Sequence, residues 1–162
     1  MMAFFTAIRF VAWTAMLLPL QAILASLKLP LAERIPMIWH RGVCRILAFR
    51  IEQYGKLSEH KPTLFVCNHT SYLDICLLGS VIQGSFIAKA EVRGWPVFGL
   101  LAKLQRSVFV ERRMSRTAKH RDEIHQRLLD GDNLILFPEG TSNDGNRVFP
   151  FKSAFFGVAE KK

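Results

Sequence analysis

Cysteine is scarce in this chain. Only three occur among 162 residues, Cys44, Cys67 and Cys76, and no two of them form a CxxC pair. The apolar surroundings of Cys67 and Cys76 are typical of packing rather than of bridging. His120 and His125 are five residues apart, so a single helix could not present both to one metal ion. The sequence therefore predicts neither a disulfide scaffold nor a zinc site, and it suits a reducing compartment.

Acidic side chains are also few. The chain has 13 Asp and Glu residues against 22 Lys and Arg residues, a net charge of +9. Such a balance favours an anionic partner, which could be nucleic acid, an anionic lipid headgroup or a phosphorylated substrate. Nucleic acid is not the expected partner, because no motif that reads it is recognisable. A hydrophobic content of 50% argues against disorder and predicts a globular domain with a core.

One long uncharged run lies near the N-terminus, at residues 10–27, with the sequence FVAWTAMLLPLQAILASL. As a helix it would be about 27 Å long, close to the thickness of a bilayer's hydrocarbon core. A membrane anchor is the favoured interpretation over a buried core helix or a cleaved signal, because the run is longer than a usual signal and only Arg9 precedes it. Pro19 and Gln21 interrupt it, so a kinked crossing and a segment lying within one leaflet both remain open.

Basic residues follow this run, whereas only Arg9 lies before it. They are Lys28, Arg34, Arg41, Arg45 and Arg50. By the positive-inside bias, the part of the chain after the run is expected on the cytoplasmic side. Residues 32–51 have helical apolar spacing, typical of an amphipathic helix on a membrane or on the core. We therefore divide the chain into membrane-associated helices at residues 1–55 and a second domain at residues 56–162.

The second domain alternates short apolar runs with longer helical patterns. Strands are predicted at residues 63–67, 85–88, 107–110 and 133–137, and helices at residues 71–78, 97–104, 115–130 and 153–161. This order predicts an α/β fold, layered, with a mostly parallel central sheet flanked by helices.

The predicted helix at residues 115–130 has clear ends. Ser115 is a typical N-cap and Gly131 a typical C-terminal stop, and Ile124 and Leu128 mark the inner face. We therefore expect this helix to pack on the sheet.

A histidine and an aspartate follow the first predicted strand, as His69 and Asp74 in the run NHTSYLD. A histidine at the end of a buried strand can act as a general base, and a carboxylate can hold its tautomer. In one continuous helix the two would lie about 140° apart and could not meet. The pair therefore needs His69 on a loop and Asp74 in the first helical turn, with Ser71 as the N-cap. The alternative is that Ser71 and Asp74 form only a capping box.

A second motif, FPEGTS at residues 137–142, follows the last predicted strand. Its backbone amides and hydroxyls could hold an anion, although an ordinary tight turn would use proline and glycine in the same way. Because ligands gather at the carboxyl ends of parallel strands, His69 and Glu139 could share one cleft. Arg112 closes another strand, where it could bind phosphate or simply be solvated.

These motifs in this order resemble the glycerolipid acyltransferases typified by 1-acyl-glycerol-3-phosphate acyltransferase. The resemblance rests on Asn68, His69 and Asp74, on VFVER at residues 108–112 and on FPEGTS, and it covers about residues 60–155. It implies transfer of a fatty acyl group from acyl-CoA or acyl carrier protein to the hydroxyl of a lysolipid, in phospholipid biosynthesis. His69 would be the general base and Asp74 its partner, with no cofactor besides the acyl donor and no metal.

The resemblance also implies which residues line the acceptor's polar head: Asn68, Arg112, Glu139, Gly140, Thr141 and Ser142. Two positions depart from the family pattern. Many relatives carry arginine where this chain has Ser142, and many carry glycine where it has Ser107. These departures make lyso-ornithine lipid a rival acceptor to 1-acyl-glycerol-3-phosphate. Membrane lipids, the lysolipid and the acyl donor are thus the expected partners, without nucleic acid.

Family members usually continue beyond the point where this chain stops, at Lys162. The chain is therefore expected to be C-terminally short. Two other functions stay open on the sequence alone. The same His69 and Asp74 could activate water in a hydrolase, or the chain could be a non-catalytic membrane-binding module held by its basic residues.

Overall fold

The computed structural model describes residues 1–111 and 117–153, with the backbone alone for residues 117–121. The chain divides into two compact units. The first comprises residues 1–57 and 72–83, and the second comprises residues 58–71 and the chain from residue 84 onward. The segment at residues 72–83 thus groups with the N-terminal helices, although it follows the first strand in sequence.

Helices form the first unit. They are α1 (Met2–Ser26), a short 3₁₀ helix (Pro30–Glu33), α2 (Ile35–Ile46) and α3 (Leu73–Val81). All but the last residue of the predicted uncharged run lie in α1, which begins earlier and continues through Pro19. Its 25 residues correspond to about 37 Å. By length and composition α1 could cross a membrane, and only 11% of its most apolar window is buried.

Polar side chains join α1 to the elements that follow it. The Trp13 indole donates a hydrogen bond to the backbone oxygen of Trp39 at 3.1 Å, and the Trp39 indole donates to the Thr14 hydroxyl at 3.0 Å. Gln21 donates to the backbone oxygen of Ala32 at 3.0 Å. A side chain at Gly42 would collide with the Trp13 ring, since an added Cβ would lie 2.2 Å from it. The contact of α1 with the elements that follow it therefore combines these hydrogen bonds with an apolar cluster of Leu17, Leu24, Ala32 and Ile35.

The packing of α2 on α3 also includes polar contacts. Arg41 donates to the backbone oxygen of Ser80 at 2.9 Å, and the Cys44 thiol lies 3.4 Å from the backbone oxygen of Cys76. None of the three cysteines forms a disulfide; Cys44 is buried, and Cys67 and Cys76 are half-buried. Burial, and then the nearby Cys44, raises the pKa of the Cys76 thiol to about 11. That thiol stays protonated and unreactive at neutral pH.

A four-stranded parallel sheet forms the centre of the second unit. Its strands are β1 (Leu64–Val66), β2 (Ser85–Lys89), β3 (Val108–Val110) and β4 (Leu134–Leu136), in the order β1-β4-β2-β3. Leu64 pairs with Leu134 on one side of β4, and Ser85 pairs with Leu134 on the other. All four predicted strands are confirmed, and so is the α/β fold with a parallel sheet.

Among the described residues, the second unit also contains two α-helices, α4 (Phe98–Leu104) and α5 (Thr117–Leu129). Ile124 of α5 joins the buried cluster of Ile87, Val108, Leu134 and Leu136, and Leu128 packs against it. The predicted inner face is therefore confirmed.

The C-terminal end of α5 also agrees with the sequence. Gly131 has φ +86°, and its N–H donates to the Leu128 oxygen while that of Asp132 donates to the Arg127 oxygen. This is a Schellman ending, in which glycine avoids backbone strain. Ser115 lies outside the described residues, as does nearly all of the helix predicted at residues 153–161.

The start of α3 lies at Leu73, two residues after the predicted start. Tyr72, the residue before it, already has helical dihedrals (φ −56°, ψ −21°) and makes no side-chain capping hydrogen bond. Because a capping residue normally has non-helical dihedrals, those of Tyr72 are compatible with a cap at Ser71. The Ser71 cap and the capping box of Ser71 and Asp74 stay predictions.

Candidate active site

Two loops meet at the carboxyl edge of the sheet in the second unit. One follows β1 and carries His69, and the other follows β4 and carries Glu139. The strands are neighbours, and the ladder extends past them, since the N–H of Cys67 donates to the Leu136 oxygen at 3.0 Å. Parallel pairing thus brings together two motifs that lie seventy residues apart in sequence.

The backbone of His69 is held from both sides by the second loop. Its N–H donates to Oε1 of Glu139 at 2.6 Å, and its C=O accepts from the N–H of Asn143 at 3.1 Å. We call this arrangement of Glu139 and Asn143 the His69 clamp. It fixes the peptide groups on both sides of the histidine.

The side chain of His69 is half-buried and rests on an aromatic surface. Its ring stacks on Phe137, with centroids 4.1 Å apart and planes inclined by 17°. Phe137 in turn stacks on Phe86 at 6.1 Å. The imidazole is therefore supported by side chains that belong to the sheet.

Glu139 is itself buried, with 3% of its surface exposed. Besides His69, its carboxylate accepts hydrogen bonds from the Asn143 amide at 2.8 Å and from the N–H of Phe149 at 2.9 Å, both at Oε2. Burial alone would raise the pKa of this carboxyl, but the hydrogen bonds from Phe149, His69 and Asn143, with the charge of His69, together lower it below its ordinary value. The group is ionised at neutral pH.

The turn after β4 is closed by a backbone hydrogen bond, and its glycine has a positive φ. The N–H of Gly140 donates to the Phe137 oxygen at 3.1 Å, and Gly140 has φ +69°. An added Cβ at Gly140 would lie 2.7 Å from Nζ of Lys152. The ammonium group of Lys152 therefore lies directly beside this turn.

The other predicted site residues are in different situations. Asn68, Thr141 and Ser142 are exposed on the two loops. Asp74 lies in the first turn of α3 and His69 on a loop, the arrangement that the sequence required; Asp74 belongs to the first unit. Arg112 lies outside the described residues. The roles assigned to these residues in binding and catalysis stay predictions.

Sequence reasoning missed Asn143 and Lys152. Asn143 donates both to Glu139 and to the His69 backbone, while its side-chain oxygen accepts from the N–H of Gly145 at 2.7 Å. An asparagine four residues after a motif glutamate gives no recognisable signal alone. Lys152 reaches the turn because its N–H donates to the Pro138 oxygen at 3.1 Å, a contact that spacing does not reveal.

Across residues 1–111 and 117–153, no three His, Cys, Asp or Glu side chains group as a metal site would require. The two loops thus hold an imidazole that stacks on Phe137, and a turn that lies beside the ammonium group of Lys152 and carries the exposed residues Thr141 and Ser142. An imidazole can take up a proton from a hydroxyl nucleophile, and an ammonium group can meet an anionic headgroup.

The acyltransferase family profile matches residues 48–162. The chain belongs to the acyltransferase family. The match includes both loops, the sheet and α5. It confirms the family to which the motifs pointed.

Several named proteins are similar to the chain. A lyso-ornithine lipid O-acyltransferase from Brucella abortus (strain 2308) is 53% identical over 150 residues, which is 92% of this chain and 56% of that protein. A 1-acyl-sn-glycerol-3-phosphate acyltransferase from Neisseria meningitidis is 35% identical over 121 residues, 74% of this chain and 48% of that protein. The chain thus spans about half the length of the curated relatives it matches.

The crystal structure of the 1-acyl-sn-glycerophosphate acyltransferase PlsC from Thermotoga maritima matches the fold. The TM-score is 0.73 at 23% identity, over 98% of this chain and 66% of that one. The α/β architecture is therefore shared with a solved acyltransferase.

Proposed function

We propose that the protein transfers a fatty acyl group from a thioester donor, acyl-CoA or acyl carrier protein, to the hydroxyl of a lysolipid. Lyso-ornithine lipid is the acceptor we favour. The observation that carries this choice is the 53% identity to a relative named for that acceptor. Ser142 supports it, because an exposed serine stands where the resemblance leads us to expect an arginine suited to phosphate.

In the proposed reaction, His69 acts as the general base. Its imidazole removes the proton of the acceptor hydroxyl as the oxygen attacks the thioester carbonyl carbon. The new C–O ester bond forms, the C–S bond breaks, and the leaving thiolate takes up the proton from the imidazolium. General-base help of this kind contributes about 10² to 10⁴ in rate. Asp74 would hold the ring and stabilise the imidazolium.

The polar head of the acceptor would meet Asn68, Gly140, Thr141 and Ser142, and the motif resemblance adds Arg112. Lys152 adds an ammonium group beside Gly140. Such a group would suit the carboxylate of an ornithine headgroup, and it could also meet phosphate. A 1-acyl-glycerol-3-phosphate acceptor therefore remains the second candidate, favoured by the Neisseria meningitidis relative.

We also propose that α1 anchors the protein in the membrane, with the second unit on the cytoplasmic side. The support is the set of large apolar side chains that α1 exposes: Phe4, Phe5, Ile8, Val11, Met16, Leu20 and Ile23. An exposed apolar surface of this extent marks a membrane or protein contact. Exposed Arg34, Arg41 and Arg45 follow it, as the positive-inside bias requires.

The test is transfer of a labelled acyl group by the wild-type chain in lipid vesicles. Acyl-CoA and acyl carrier protein serve as donors in parallel, and lyso-ornithine lipid and 1-acyl-glycerol-3-phosphate as acceptors. We expect labelled diacyl product, formed fastest with lyso-ornithine lipid. Faster transfer to 1-acyl-glycerol-3-phosphate would select the second acceptor. Release of free fatty acid without acylated lipid would contradict the proposal and identify a hydrolase.

A further inference from the structure

We infer that Glu139 is a positioning residue for His69 rather than a contact to the lipid's polar head. Together with Asn143 it holds the histidine backbone at the carboxyl end of β1. This inference rests on the proposed function, because it assigns Glu139 a part in the same reaction. It replaces the role in headgroup binding that the motif resemblance implies.

The hydrogen bonds of Glu139 leave little capacity for a ligand. An ionised carboxylate has about four acceptor sites, and three of them are filled here from within the second unit. Oε1 accepts from His69, and Oε2 accepts from Asn143 and Phe149. With 3% of the residue exposed, a headgroup would have to displace these donors to reach it. The exposed Thr141 and Ser142 are better placed to meet a lipid.

The same contacts determine where the imidazole lies. The clamp holds the peptide groups on both sides of His69, which sets the direction of its Cα–Cβ bond, while Phe137 supports the ring. General-base catalysis depends on the distance between the imidazole and the acceptor hydroxyl. A misplacement of about 1 Å at a reacting group can cost on the order of 10²-fold in rate.

Glutamine at position 139 cannot replace the carboxylate. Its amide has one oxygen and one NH₂ group. In either orientation, the NH₂ group would therefore face at least one of the N–H groups that now donate to the carboxylate. The variant keeps the size of the side chain and disturbs only the hydrogen bonding. Asp144→Asn is the matched control, since it makes the same chemical change at an exposed carboxylate five residues away.

The experiment measures two quantities in wild type, Glu139→Gln and Asp144→Asn, with the full chain in lipid vesicles or micelles. The first is kcat and KM for the lysolipid acceptor. The second is the exchange rate of the His69 amide hydrogen, followed by NMR after ¹⁵N-histidine labelling of the five histidines. The amide of His125, inside α5, serves as the reference for general loosening.

We expect Glu139→Gln to lower kcat by roughly 10²-fold and to change KM by less than about threefold. The His69 amide should exchange at least tenfold faster while that of His125 is unchanged, and Asp144→Asn should resemble wild type. A rise in KM at constant kcat would overturn the inference and restore Glu139 as a headgroup contact. Unchanged exchange at His69 would also overturn it.

If Glu139→Gln does not fold, Asn143→Ala gives the same readouts, because it removes one donor of the clamp and keeps the carboxylate. Its expected loss in kcat is smaller, about tenfold, with faster exchange at His69. If wild type acylates no acceptor, the proposed function fails by itself. The exchange rates then still decide whether Glu139 holds His69.

Discussion

The first helix and the central sheet of this protein expose their apolar side chains to different extents. In the first unit, α1 buries Leu17 and Gln21 but leaves Phe4, Val11 and Ile23 exposed. In the second unit, Val108, Leu134 and Ile135 are completely buried. The second pattern is that of a domain folded in water, where burying one such side chain contributes about 1.5 to 3 kcal/mol. The first pattern is favourable only where an apolar medium or partner covers the helix.

The two units also differ in the interactions that hold their helices and strands together. Between helices in lipid there is no hydrophobic gain, so hydrogen bonds and close packing matter, at about 0.6 to 2 kcal/mol per polar pair. The bonds between Trp13 and Trp39, and between Gln21 and Ala32, add polar contacts to an apolar cluster of the first unit, which consists of Leu17, Leu24, Ala32 and Ile35. The sheet of the second unit has its own apolar cluster of Ile87, Val108, Ile124, Leu134 and Leu136.

The largest expected effect is that of Asp74→Asn, which removes the carboxylate of the proposed catalytic pair. We expect acyl transfer to fall by at least about 10²-fold, since an amide cannot stabilise the imidazolium of His69. Membrane binding should not change. Asp130→Asn, at an exposed aspartate after α5, is the control. Turnover at the wild-type level in Asp74→Asn would refute the proposed pair.

A charge on the exposed face of α1 tests whether lipid covers it. Val11→Lys should weaken membrane binding by about 2.5 to 3.5 kcal/mol, the cost of placing lysine at the centre of a membrane helix. Leu129→Lys makes a similar change at an exposed apolar residue of the second unit and should have little effect. Co-sedimentation with vesicles measures both. Equal binding by the two variants would remove the distinction between the units.

Acid should loosen the clamp in the second unit. Glu139 has a lowered pKa, so its stabilising contribution is complete above the ordinary value of 4.5 and is lost as the pH falls through the depressed value. The difference in unfolding free energy between wild type and Glu139→Gln should therefore be constant above about pH 4.5 and shrink below it. Urea unfolding at several pH values measures this, with exposed Glu123→Gln as control. A difference that grows on acidification would contradict the assigned cause.

The smallest expected effect is on the choice of acceptor. Ser142→Arg would add a cation beside Gly140 and Lys152, and it should favour 1-acyl-glycerol-3-phosphate over lyso-ornithine lipid. Because position 142 is exposed, the gain is about 1 kcal/mol, or roughly fivefold in the ratio of kcat/KM values. Val148→Arg, at an exposed residue farther along the chain, is the control. An unchanged ratio would show that position 142 does not face the headgroup.

Much of the second unit could be predicted because its signals are local. Four short apolar runs gave the four strands, and Gly131 marked the end of α5. The meeting of His69 and Glu139 followed from one further rule, that parallel strands end at one edge of a sheet. The family followed from the same two motifs.

Other features depend on tertiary contacts that a linear pattern does not contain. α3 begins at Leu73, two residues after the predicted start, and such a boundary depends on more than residue type. The bond of Asn143 to His69 joins two loops distant in sequence, and that of Glu139 to Phe149 closes the segment after β4. Similarly, Gln21 looked like an interruption of a membrane segment, whereas its amide donates to Ala32.

The central claim, that His69 is the base of a membrane-bound lysolipid acyltransferase, is tested most directly by His69→Ala. Acyl transfer and membrane binding are measured in the same vesicle sample, with His60→Ala as the control at an exposed histidine before β1. The account predicts that His69→Ala loses about 10² to 10⁴ in transfer rate and keeps wild-type membrane binding, and that His60→Ala keeps both. Transfer at the wild-type rate in His69→Ala would contradict it.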